Sequence, residues 1–146
     1  MAASERLLPV LMAVVYGAAL IATWGFTSLL LDADVIAEPD AGPLLGPAMA
    51  AGAIVVTWAW LRRVRAAVRA WGVPVLAAAS AWFAMLAIGS VGYAATRGEL
   101  AWVLLFAGRY AASLFLLLPA VLAGIAVVIT TLLAGRSPGA RSFDRR

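Results

Sequence analysis

Histidine, cysteine, lysine, asparagine and glutamine occur nowhere in this 146-residue chain. The side chains that most often perform acid–base catalysis near neutral pH, bind zinc, act as thiol nucleophiles or form Schiff bases are therefore missing. Without cysteine there is no disulfide framework and no sign of redox compartment. Serine without histidine or lysine lacks its usual base, and no pair of acids lies inside an apolar run to act on a buried substrate. These absences point away from an enzyme, and no cofactor or resident metal is expected. Charge is scarce as well. Charged residues make up 12% of the chain and hydrophobic ones 65%, with a mean hydropathy of +1.01. Soluble domains carry roughly 25% charged and 45–50% apolar residues. A chain this poor in charge cannot cover a globule with polar surface, so lipid must be the solvent for much of it.

What is present is four long apolar runs with charge nearly confined to the breaks. The first, Leu7–Leu31, spans roughly 37 Å as a helix, enough to cross a ~30 Å hydrocarbon core with tilt. It is about twice the length of a signal-peptide h-region, so a retained helix is expected. The second, Leu44–Leu61, opens on Pro43, Gly46 and Pro47, and proline is tolerated in a first helical turn. Regular helix is expected from near Gly46, with Arg62 and Arg63 snorkelling at the far end. The third, Trp71–Ala95, places Trp71 and Tyr93 where rings prefer the membrane interface. The fourth, Leu100–Ala134, would be about 52 Å long as a single helix, and only Arg109 interrupts it. Residues 110–134 alone suffice to cross. Residues 100–109 then form a protruding turn, an interfacial helix or a cover on the bundle. The expected fold is all-α, a single membrane domain over 1–146. Four transmembrane helices, about 7–31, 44–63, 71–95 and 110–134, form an antiparallel bundle.

Four crossings put both termini on one side. Arg6, Arg62, Arg63, Arg65, Arg69, Arg136, Arg141, Arg145 and Arg146 all fall there, and only Arg97 and Arg109 fall opposite. All 11 basic residues are arginine. The positive-inside rule therefore predicts that both termini are cytoplasmic. Alanine-rich, lysine-free usage is the bias of a high-G+C bacterial genome, which places the chain in a bacterial cytoplasmic membrane.

The breaks hold the candidate functional residues. The outer loop reads DADVIAEPDAGP, and Asp32, Asp34, Glu38 and Asp40 either keep a solvated turn out of lipid or recruit a hard cation or partner. Its spacing is not that of an EF-hand. Val35 and Ile36 hint that it packs on something. The inner segment RRVRAAVRAW presents Arg62, Arg65 and Arg69 on one helical face, with Arg63 beside them. Together they anchor the topology and contact anionic lipid. Arg109 is a candidate by virtue of its place in an apolar run. It either pairs with an outer acid, Asp32 or Asp34, or meets a headgroup, or lines a polar cavity. Ala120-x-x-x-Gly124 fits close helix approach, and Pro119 is expected to bend the last helix and free a carbonyl one turn earlier.

An acid-free first run departs from small multidrug transporters, which rely on a glutamate there. Fluoride channels share only a loose likeness at Gly108–Arg109–Tyr110. The stretch Val35–Met49, VIAEPDAGPLLGPAM, runs an acidic turn into a Gly-Pro helix start. In this and in its layout the chain resembles four-helix membrane proteins of actinobacteria grouped as a domain of unknown function. That resemblance implies no activity, substrate or cofactor. The expected function is a non-enzymatic interaction or accessory bundle, with a membrane-protein partner or a second copy and no nucleic acid. The alternative is a small oligomeric channel or transporter in which Arg109 lines a polar cavity. Alkaline phosphatase fused at Ala41 should be active and a fluorescent protein at the C-terminus should fold; a fusion at Ala41 active only as a cytoplasmic reporter contradicts the orientation.

Overall fold

The computed structural model describes residues 3–38, 40–63 and 72–135. They form five helices: α1 (Ala3–Leu31), α2 (Leu45–Arg63), α3 (Gly72–Arg97), α4 (Ala101–Tyr110) and α5 (Leu114–Gly135). Among the described residues there is no strand. All but α4 are long and apolar enough to cross a membrane. The helix starts follow the prolines, since Pro47 and Pro74 both sit in a first turn, where no N–H is lost. Helix α3 ends at Gly98, whose φ of +74° a side chain would resist.

Packing departs from the pattern of a soluble protein. Long side chains such as Ile21, Phe26, Phe83 and Val121 are exposed, whereas Ala53, Ala77, Ala81 and Ala123 are fully buried. Lipid is as apolar as leucine, so burying apolar area drives nothing, and small residues at contact lines let backbones approach and gain dispersion instead. Helix α3 is the hub, packing most extensively on α2 and α5. A Cβ on Gly124 of α5 would fall 3.1 Å from the Pro74 carbonyl oxygen and 3.4 Å from the Ala78 Cβ. Gly124 of the Ala120-x-x-x-Gly124 motif therefore serves α3–α5 packing within one chain. Gly89 does the same for α2 and α4, since its added Cβ would sit 2.6 Å from Phe106 and 3.0 Å from the Met49 sulfur.

The over-long fourth run is broken, and the break corrects one boundary. The last crossing begins at Leu114, whereas residue 110 was expected; Tyr110 instead closes α4. Ser113 is the reason. Its N–H donates to the Tyr110 carbonyl at 2.9 Å, and its Oγ accepts the Phe115 N–H at 3.3 Å. A serine that bonds its own local backbone competes with the helical ladder. Helix α4 then covers α3 in antiparallel fashion, with Trp102 against Tyr93, Phe106 against Gly89, and Ala111 at Trp82.

Two carbonyls freed along this run are taken by indole donors. Diverting the Phe115 N–H leaves the Ala111 carbonyl without its helical partner, and Trp82 Nε1–H supplies one at 2.9 Å. Pro119 has no N–H for the Phe115 carbonyl, and Trp24 Nε1–H of α1 takes it at 2.6 Å. The Tyr16 hydroxyl donates to the Pro119 carbonyl at 3.2 Å. Thr23, Ser80 and Thr130 bond carbonyls of their own preceding turns, whereas the buried Thr57 and Ser90 hydroxyls have no hydrogen-bond partner among the described residues.

An interhelical bond in a membrane averages ~0.6 kcal/mol because the unfolded chain finds other partners. The Phe115 carbonyl has no such substitute, so Trp24→Phe should lower stability by about 1–2 kcal/mol. Pro119→Ala restores the missing N–H, and in that background the loss should shrink by at least half. Equal losses in both backgrounds, measured by unfolding in mixed micelles, contradict the assignment.

Candidate functional site

The acidic loop leaves α1 through Asp32, whose φ of 48° is a left-handed cap. The following N–H, from Ala33, donates back to the Ser28 carbonyl at 3.2 Å, a Schellman closure. This turns the chain across the bundle end. Val35 and Ile36 are half-buried against the core, so the loop does pack on something, and Ala41 is buried. The Ala41 N–H closes a turn onto the Glu38 carbonyl at 3.1 Å.

Two carboxylates of the loop are then gripped by α3 and α4. Glu38 accepts from the Tyr110 hydroxyl through one oxygen and faces Arg109 Nε at 3.4 Å through the other. The same Tyr110 oxygen accepts the Ala37 N–H at 2.8 Å, so one phenol satisfies a loop amide and a loop carboxylate together. Asp40 pairs with Arg97 and accepts from the Tyr93 hydroxyl at 3.4 Å. Arg97 donates to the Tyr93 oxygen through Nε at 3.2 Å and Nη2 at 3.0 Å. Its guanidinium also lies 4.7 Å from the centre of the Trp102 ring, a cation–π contact.

An aromatic column stands behind these pairs. Trp102 meets Tyr93 edge-on at 5.6 Å, Phe106 lies 5.5 Å from Tyr93, and Phe106 stacks on Tyr110 at 4.4 Å. Residues 102, 106 and 110 share one face of α4 because they are four apart. Beside the column lies a cavity of about 310 Å³ lined by Glu38, Tyr93, Trp102, Leu105, Phe106 and Arg109.

The expected residues are thus placed unequally. Arg109 and Glu38 come together, and Asp40 makes a separate pair with Arg97. Asp32 and Asp34, the partners expected for Arg109, remain exposed. Asp32 is occupied as a helix cap, and the chain must travel past Asp34 before a carboxylate reaches α4. Among the described residues no three acids come together in a way that could hold a metal ion. On the opposite end Arg62 and Arg63 are exposed, with Arg62 over the Trp58 ring at 4.7 Å. Arg65 and Arg69, and the basic tail 136–146, lie outside the described residues. Sequence reasoning missed Tyr93, Arg97 and the column. The i, i+4 spacing of Tyr93 with Arg97, and of Trp102, Phe106 and Tyr110, was the available signal.

A family of unknown function, DUF6121, matches residues 2–144, nearly the whole chain, and the chain belongs to it. No curated protein and no solved structure matches the chain.

Burial, and then the bond to Glu38, push the Tyr110 phenol up to about 12. An unfolded tyrosine ionises at about 10, and only the neutral phenol can donate. The clamp is therefore fully present below pH ~10 and lost as pH rises through the folded value. A tyrosinate difference titration of wild type against Tyr110→Phe should place this phenol well above the ordinary range. Ionisation near 10 contradicts the bond.

Proposed function

We propose that this member of a family of unknown function is a non-enzymatic, multi-pass accessory protein of a bacterial cytoplasmic membrane. Both termini are cytoplasmic, as the arginine distribution requires, and the acidic loop is presented on the outer face to a partner. The observation that carries this reading is the double grip on the loop, Glu38 by Tyr110 and Arg109 and Asp40 by Tyr93 and Arg97. A loop that only has to stay out of lipid needs charge but no fixed shape. Ordering it in advance removes entropy that a binding partner would otherwise have to supply. The side chains of Asp32 and Asp34 are exposed, where they can meet a basic surface. On the cytoplasmic side Arg62 and Arg63 face anionic headgroups, each worth ~1 kcal/mol there.

Passage of an ion or solute is less well supported. Leu20, Met49, Met85, Leu116 and Val127 are fully buried in one apolar core, which supports the accessory reading over passage through a single copy. The cavity beside Arg109 favours that second reading, yet half of its lining is Trp102, Leu105 and Phe106.

Tagged wild-type protein should retain a partner that the doubly neutral loop variant Asp32→Asn, Asp34→Asn loses while its thermal unfolding stays unchanged. Liposomes containing the protein should show no solute flux above empty ones. Flux that disappears in Arg109→Leu overturns the accessory reading, as does partner retention indifferent to the loop charges.

A further inference from the structure

The cavity beside α4 has chemistry that a loop clamp does not use. One Glu38 oxygen accepts from the Tyr110 hydroxyl and the other faces Arg109 Nε at 3.4 Å. Arg109 faces that carboxylate with Nε, and among the described residues its terminal nitrogens make no hydrogen bond. Its side chain is 66% exposed. The carboxylate thus orients a planar, permanently charged fork while leaving its outer donors open. Such a fork matches the paired oxygens of a phosphate.

The surroundings say what else the occupant must carry. The cavity abuts the acidic loop at one end of the bundle, where polar chain gives way to apolar helix. Leu105 lines it and is itself 58% exposed, and Leu104 beside it is 77% exposed. The opening therefore faces apolar surface as well as the loop. Trp102, which is only partly buried, supplies a ring of the kind that sits at headgroup depth. A volume of about 310 Å³ lies at the small end of ligand pockets, ~300–1,000 Å³. A phosphate with its glycerol carbons fits such a space, whereas two acyl chains must lie outside it, along Leu104 and Leu105.

From this geometry we infer that the cavity between the acidic loop and α4 binds the phosphodiester headgroup of a membrane phospholipid, with the terminal nitrogens of Arg109 on the phosphate. The site is distinct from the exposed Arg62 and Arg63 at the other end of the bundle. It does not depend on the loop having a protein partner.

Native mass spectrometry of the detergent-solubilised full chain, titrated with dioleoylphosphatidylglycerol, tests this. Wild type should retain one tightly held lipid that Arg109→Leu binds at least tenfold more weakly. Arg62→Leu with Arg63→Leu should keep it. Should Arg109→Leu fail to fold, Leu105→Trp fills the cavity without touching the ion pair and should also release the lipid. Dioleoylglycerol, which has the chains but no phosphate, should not bind in the cavity. Displacement of the lipid by millimolar inorganic phosphate assigns the site to free phosphate and overturns the lipid source. Equal retention by wild type and both cavity variants overturns the site itself.

Discussion

A peptide group in hydrocarbon has no water to bond, so every interruption of a membrane helix must be repaired from within the protein. This chain interrupts its last apolar run twice, at Ser113 and at Pro119, and repairs both with indoles. Trp82 covers the Ala111 carbonyl and Trp24 covers the Phe115 carbonyl. These bonds join α1 and α3 to the α4–α5 unit at the points where it would otherwise be weakest. The amphipathic indole suits the task, since its ring is content in lipid and it carries a single donor.

The break has a purpose that the unbroken helix could not serve. A straight helix through residues 100–134 would leave its first turns with no structure to cover. By ending α4 at Tyr110, the chain lays an aromatic face along α3 and brings Arg109 and Tyr110 under the loop. The acidic loop and the over-long run are therefore two halves of one construction. Strain on either should be felt by the other, because Tyr110 is shared between the α4 terminus, the Ala37 amide and Glu38.

The helices were legible because apolar length and arginine placement are local properties of sequence. So were the carbonyl freed one turn before Pro119 and the surplus of residues 100–109, since both follow from counting. Where the surplus goes was not legible. It depends on Gly89 being small enough to admit Phe106, a contact between segments far apart in the chain. The partner of Arg109 was misjudged for a related reason. Asp32 is nearest in sequence to the helix end, but its left-handed backbone spends it as a cap, and Glu38 is the first loop acid that reaches α4. Tyr93 and Trp102 were read or passed over as interface aromatics, whereas Tyr93 is buried as the centre of a hydrogen-bonded column.

The most direct measurement of indole repair is nitrogen-15 NMR of the protein in lipid nanodiscs, following its 6 tryptophan side chains. Tryptophan-to-phenylalanine variants assign the resonances. Two indole N–H signals, those of Trp24 and Trp82, should lie downfield and persist longest in deuterated buffer. If both sit at the shift of an unbonded indole and exchange along with the exposed ones, the freed carbonyls are not held by these side chains and the account fails.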